Sequence, residues 1–247
     1  MKRIRPFFRA FGALHRTIHW TDLAVLLSAP VYGVTIRYLL PILSKLVLFM
    51  PDLRPYQKAL DSLLMLISAF SILYPFVLCG VEERMNGIAL SLTISPLRSG
   101  GYFLCRYITP CLYAAVYAFL MELCFCPVTL EREISHTILC CLLAAPAALS
   151  GMLIAPVLTR DKLNGVTLLQ LSVILFMALP AVLGNILPMF LQPLFILCPA
   201  YWLMRYALNR DWLMAVMTLI TCGLWLFGGY ALWSRSLKHM RLMESVE

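Results

Sequence analysis

The sequence predicts an all-α, polytopic integral membrane protein with about six transmembrane helices, an N-terminal interfacial helix and an interrupted segment at the outer face. Three observations carry this prediction. Of 247 residues, 62% are hydrophobic and only 13% are charged, against about 25% charged in an ordinary soluble domain. Apolar runs near the roughly 20 residues that a helix needs to cross the hydrocarbon core recur along the whole chain. The positive charges fall in short groups between those runs. A soluble fold of this length could not hide so much apolar surface without large sticky patches. No linker or compositional break divides the chain, so residues 1–247 read as one membrane domain. The net charge of +8 does not signal nucleic acid, because no basic stripe forms on a soluble domain.

Taking the elements in order, residues 1–21 place Phe7, Phe11, Leu14 and Ile18 at helical spacing, with Arg3, Arg5, Arg9, His15 and Arg16 on the remainder. Such a helix lies in the cytoplasmic leaflet with its arginines toward anionic headgroups. A disordered basic tail is the alternative, and Phe7, Phe8, Phe11 and Trp20 are many aromatics for one. A cleaved signal has a short apolar core and a prompt cleavage site; here the first apolar run is about twenty residues long. The six spans expected are 23–43, 60–80, 102–126, 138–158, 166–187 and 212–233. A further stretch, 189–203, is interrupted by Pro193 and Pro199. It reads as re-entrant or surface-lying, since broken backbone at membrane depth needs protein or water to satisfy it.

Orientation follows from the positive-inside rule. With the N-terminus inside, 13 Lys and Arg residues are cytoplasmic and 7 are outside. The chain is therefore expected in the cell membrane with both termini cytoplasmic.

Several chemistries are missing from the sequence. It contains no Gly-x-x-x-x-Gly-Lys-Ser/Thr loop, no His-Glu-x-x-His and no Gly-x-Ser-x-Gly. No cofactor or metal is expected on this chain. His15, His19, His136 and His239 fall near predicted interfaces. Seven of the nine cysteines lie in apolar runs, and Cys124 and Cys126 are two apart near an outer end. Buried free thiols are the expectation, with a disulfide or metal at Cys124 and Cys126 as the alternative.

The most informative stretch follows the second span. Residues 81–101 bring Glu82, Glu83 and Arg84 to the membrane exit, then Gly87, then a short amphipathic turn around Leu92. Ser95-Pro96 reads as a helix start, with Ser95 capping free amides and Pro96 at the first helical position. Gly100-Gly101 is expected to relax the chain before the third span. The physics describes a small cytoplasmic helix whose acidic head and apolar patch offer a partner both steering and burial; an ordinary polar connector is the alternative.

The order Glu82-Glu83-Arg84, Gly87, Leu92, Ser95-Pro96-Leu97 resembles the cytoplasmic loop of ATP-binding-cassette (ABC) type-2 permeases, in particular drug or fluoroquinolone exporter permeases. Tyr102 and Arg106 match the aromatic and arginine that follow the turn in that subgroup. Asp22 with 23–43 resembles the family's first span behind its interfacial helix. Pro199-Ala200-Tyr201-Trp202 resembles the element before its last span. Gly87-Ile88 stands where the family has Gly-Thr. The resemblance implies a permease subunit of an exporter, with Glu82, Glu83, Arg84, Gly87, Leu92, Ser95 and Pro96 coupling to a separate ABC ATPase. ATP and Mg would be bound by that ATPase. A second permease copy, identical or homologous, and membrane lipids are the other expected partners. The substrate would be drug-like, a lipid or a peptide.

Two other functions compete. A membrane scaffold or immunity protein would need no coupling, and a small secondary transporter would show inverted repeats and midplane charges, which are not evident here.

Residues within the spans leave two readings each. Arg37 lies about 20 Å along the first span; it either snorkels outward or binds an acidic substrate or Asp61. Tyr113 and Tyr117 share a helix face, either as packing or as a path for an apolar or cationic drug. Asn185 makes an interhelical hydrogen bond or a ligand contact. Glu122 pairs with Arg132 or is exposed, with a substrate contact as the remaining reading.

Overall fold

The computed structural model describes residues 24–39, 42, 57–88, 98–125, 134–159, 161–180 and 192–244, and these contain helices and turns but no strand. Helix α1 is Ser28–Val34, entered by a 3-10 turn (Ala24–Leu27) and left by a π-turn (Thr35–Leu39). Helix α2 is Gln57–Met85. Helix α3, Arg98–Phe103, runs through a π-turn (Leu104–Ile108) into α4, Pro110–Phe125. Helix α5 is Ile134–Met152 and the short α6 is Ile154–Leu158. Helix α7, Lys162–Val173, passes into a third π-turn, Ile174–Ala178. After a 3-10 turn (Gln192–Phe195) come α8, Pro199–Asn209, and α9, Trp212–Glu244.

Among the described residues, four rods are long and apolar enough to cross a membrane: Ala59–Met85, Gly100–Phe125, Ile134–Leu158 and Trp212–Leu237. Val25–Leu39 and Lys162–Ala178 are shorter apolar helices where the first and fifth spans were predicted. The fold is thus an all-α polytopic membrane protein. Burial ranks the rods. The apolar windows of α2 and of α5–α6 are 78% and 72% buried, those of α3–α4 and α9 only 28% and 22%. The first two form the centre, and the other two turn most of their apolar surface outward. Leu112, Val116 and Leu120 of α4 and Leu219, Leu224 and Phe227 of α9 are on that surface, where lipid is the natural solvent.

The centre is built for close approach. Helix α5 buries Ala144, Ala145, Ala147, Ala148, Ser150 and Gly151, small residues that let helix backbones meet when lipid removes the hydrophobic drive. Buried hydroxyls are satisfied by their own helices: Ser68 donates to the Leu64 carbonyl, Ser150 to Ala147 and Ser172 to Leu169. Two bonds hold α1 and the turn before it, one to α2 of the centre and one to α4 of the flank. The Ser28 and Ser71 hydroxyls are 2.7 Å apart, and the Tyr117 hydroxyl donates to the Leu26 carbonyl at 2.7 Å.

The three π-turns among the described residues share a sequence context. Each ends two residues before a proline, at Pro41, Pro110 and Pro180. A helical proline has no N–H for the carbonyl four residues back, and its ring crowds that oxygen. The turn before it widens by one residue, as the Thr109 N–H bonding to the Leu104 carbonyl at 2.9 Å records. Two of these turns share an Arg-Tyr-Leu/Ile-x-Pro pattern, Arg37-Tyr38-Leu39-x-Pro41 and Arg106-Tyr107-Ile108-x-Pro110.

The structure departs from the sequence reading in four places. Helix α2 continues through Met85, so Glu82, Glu83 and Arg84 belong to its last turn and not to a loop. Gly100 and Gly101 are helical and do not relax the chain; a Cβ at Gly100 would stand 3.6 Å from the Tyr230 hydroxyl, so the small residue sits where α9 passes close. In 189–203, the part from Gln192 is a 3-10 turn, after which Pro199, in the first turn, opens α8, continuing to Asn209. The Trp202 and Trp225 indoles donate to the Ile196 and Leu197 carbonyls, each at 2.7 Å, and hold that turn in place. Finally, α9 runs past the predicted end of the last span. The interfacial helix expected in 1–21 lies outside the described residues.

A test of this packing is available at Gly80, where a Cβ would fall on the Tyr107 hydroxyl and within 2.9–3.0 Å of its ring. Gly80→Val should lower the detergent thermal midpoint, the loss corresponding to about 1–3 kcal/mol of overpacking. Gly228→Ala, with nothing within 4 Å of the added carbon, should leave the midpoint unchanged or raise it slightly through helix propensity.

Candidate functional site

Helix α2 leaves the bundle through Val81-Glu82-Glu83-Arg84-Met85, and its three ionic side chains go three ways. The buried stripe Ala69, Leu73, Val77, Gly80 continues one turn further to Glu83, because residues three and four apart share a helix face. Glu83 is 4% exposed. The Nη2 of Arg106, which is 0% exposed, lies 2.8 Å from its Oε1. The Tyr102 hydroxyl donates to Oε2 at 2.7 Å.

The π-turn aims Arg106. In a regular helix, three consecutive side chains spread over more than half the circumference, yet Cys105, Arg106 and Tyr107 are all buried. Widening the turn brings them inward together, a role for which π-bulges are often found at functional sites. Behind them, Tyr102 stacks on Trp233 of α9, with centroids 5.3 Å apart and planes 7° from parallel. Phe103 lies against Tyr230 and Tyr107 at 5.2 and 5.1 Å. The ion pair is therefore walled off from water by aromatic rings.

Magnitudes indicate what such a pair does. At 2.8 Å and an effective dielectric near 20, the attraction is about 6 kcal/mol. Removing both ions from water costs several kcal/mol each. The two nearly cancel, so the pair adds little net stability. Deleting one partner, however, leaves a buried charge and costs about 3–5 kcal/mol.

Arg84 takes a different direction. Its Nη1 donates to the carbonyls of Pro156 and, at 2.7 Å, Val157, and its Nη2 donates to Ser236 Oγ. The two carbonyls are in α6, close to its end at Leu158, where helix carbonyls lack partners and the dipole favours a cation. One guanidinium thus joins α2, α6 and α9. Glu82 faces outward, 24% exposed, and pairs with Lys162 at the start of α7, which is 56% exposed. Gly87 ends the turn at φ +69°, with no neighbour within 4 Å of an added Cβ. Its glycine identity follows from the left-handed backbone that closes the helix.

This end of the bundle therefore collects the exit of α2, the α3–α4 π-turn, the end of α6, the start of α7 and α9. A family model described as fluoroquinolones export permease protein Rv2686c-like matches residues 21–233. The chain belongs to this family. No curated protein and no solved structure matches it. This export permease is the membrane part of a transporter, and the buried pair lies inside the matched region.

The remaining candidate residues of the permease are dispersed. Leu92, Ser95, Pro96 and Asn185 lie outside the described residues. Arg37 sits half-buried in the first π-turn. Tyr113 is 44% exposed on α4, whereas Tyr117 is turned toward the turn before α1 through its bond to Leu26. Glu122 is 2% exposed, which removes the reading of plain exposure, and Arg132 lies outside the described residues. Of the eight cysteines described, Cys79, Cys105, Cys140, Cys141, Cys198 and Cys222 are buried, Cys111 is intermediate and Cys124 exposed.

Sequence reasoning missed the pairing of Glu83 with Arg106 and the parts played by Lys162, Trp233 and Ser236. One signal was available: Arg106 falls inside the apolar run 102–126, and an ionisable group there asks for a partner.

Arg84→Ala should lower the thermal midpoint in detergent, by the equivalent of about 2 kcal/mol or more, since hydrogen bonds to a charged group are lost. Arg84→Lys should recover only part, because an ammonium lacks the fork that spans two carbonyls and a hydroxyl. Thermal unfolding followed by tryptophan fluorescence reads both.

Proposed function

We infer that this permease is the transmembrane subunit of an ABC exporter, with ATP hydrolysed on a separate ATPase subunit. The family match supports export. The observation that carries the coupling is the exit of α2, where Glu82 and Lys162 remain exposed while Glu83 and Arg84 fasten the same turn to four other elements. A partner that pushes on this turn moves helices throughout the bundle. Residues 88–97, with Leu92, Ser95 and Pro96, form the coupling segment in this reading, and Gly87 sets its departure from α2.

Transport requires that the ATPase bind one state of the permease more strongly than the other, because equal binding shifts nothing. A second permease copy, identical or homologous, completes the path, and the outward apolar faces of α4 and α9 leave room for one beside lipid. The substrate class is amphipathic and drug-like, as the family's description suggests. Both termini face the cytoplasm, consistent with the positive-inside count of 13 to 7.

Co-purification with the candidate ATPase tests this reading. The native permease should retain the ATPase, and Glu82→Lys should weaken retention about tenfold, near 1.4 kcal/mol, with membrane insertion and thermal midpoint unchanged. Retention that ignores charge reversal at Glu82, or no ATPase bound to native protein, would remove the coupling assignment.

A further inference from the structure

Resting on the reading that a separate ATPase drives this permease, we propose that Glu83, Arg106 and Tyr102 form an internal transmission joint. They carry movement of the α2 exit to α4 and α9 without touching the ATPase.

Neighbouring carboxylates have opposite surroundings. Glu82 meets Lys162 at the surface, both side chains partly open to solvent. Glu83 is closed in, with Arg106 on one oxygen and Tyr102 on the other. A docking partner can read Glu82; it cannot reach Glu83 without opening the bundle. The acidic stretch therefore divides into an outward group that meets the partner and an inward group that passes on its push.

The inward group lies at the meeting of three bodies. Glu83 belongs to α2, Tyr102 and Arg106 to α3 and the π-turn, and Trp233, stacked on Tyr102, to α9. A π-turn beside Pro110 is a place where a helix holds an extra residue and can change its local hydrogen-bond register. Apolar contacts alone would let these bodies slide. A carboxylate held by an ion pair on one oxygen and a directional hydrogen bond on the other fixes one relative position, and its release defines a second, the discrete alternative that switching needs. Gly80, one turn before Glu83, lets the Tyr107 hydroxyl lie directly against α2, so the joint is held close on both sides. Glu83, Arg106 and Tyr102 are positioning residues, acting through the helices they connect.

Cys105, fully buried next to Arg106 in the π-turn, reports motion at the joint. In the permease–ATPase complex in detergent, N-ethylmaleimide labelling of Cys105 is followed by mass spectrometry, with and without a non-hydrolysable ATP analogue and Mg. In native protein, nucleotide should change the labelling rate at least about fivefold, the lower range of typical coupling. In Glu83→Gln, which keeps the shape and an acceptor for Tyr102, the two rates should converge while the ATPase co-purifies as in native protein. The exchanged pair Glu83→Arg with Arg106→Glu should restore part of the nucleotide response, which a merely structural defect would not do. Tyr102→Phe should reduce the response and serves if Glu83→Gln fails to accumulate. Loss of the ATPase from Glu83→Gln to the same degree as from Glu82→Lys would make Glu83 a docking residue and overturn the joint. An unchanged nucleotide response in Glu83→Gln, or none in native protein that holds its ATPase, overturns it equally. Native protein that holds no ATPase defeats the exporter reading itself, and that result is separable from the others.

Discussion

A carboxylate and a guanidinium shut away from water, each tolerable only because the other is there, set the terms for the rest of this structure. Neither Glu83 nor Arg106 could be buried alone without an energetic loss comparable to much of a small domain's stability. Their meeting requires α2 to run one turn beyond its apolar segment and the third rod to carry a π-turn at the right height. It also requires a ring, Tyr102, to supply the second donor and another, Trp233, to close the lid. The extension of α2 to Met85 and the π-turn before Pro110 both serve this contact, and Gly80 leaves room beside it for the Tyr107 hydroxyl.

Around that contact the molecule is arranged in order of burial. The centre, α2 with α5 and α6, is packed through alanines and glycine and keeps its hydroxyls satisfied within its own helices. The flanking rods α3–α4 and α9 pack against it and turn most of their apolar surface outward. Polar ties between centre and flank concentrate where α2 ends: Arg84 to Ser236, Glu83 to Arg106 and Tyr102. At the opposite end the fastening is different in kind, with indole donors and the Arg205 contacts to Gln192 and the Tyr201 ring holding the turn before α8.

Much of this was legible in the residues, and the part that was not has a physical reason. Apolar run length located the spans, because the hydrocarbon core imposes a minimum that composition reveals directly. Pro199 announced the start of α8, since a proline prefers the first helical turn. The acidic exit was visible, but which carboxylate faces inward depends on whether the helix stops at Gly80 or Met85. Five residues change the direction of every side chain in that stretch, and burial of Glu83 became evident only with its partner in place. Arg106 reads as one of the topology-setting charges because nothing local says that a cation at the head of an apolar run has its counter-ion 23 residues earlier in the chain. Lys162 and Ser236 lie farther still from the residues they meet. Long-range pairing of this sort has no periodic signature.

The π-turns affect how this chain should be compared with its relatives. A segment that gains one residue within a turn leaves the helix beyond it rotated by about 100° against the part before it. In the rod from Arg98 to Phe125, faces assigned by helical spacing from 98–103 do not carry over to 110–125. A family member lacking one residue between 104 and 108 would keep a hydrophobic span of nearly the same length and still present a different surface to whatever lies beside it. Single-residue gaps at these three places, which an alignment would treat as noise in a loop-like region, mark changes of rotational phase, and divergence in partner choice within the family is best sought there.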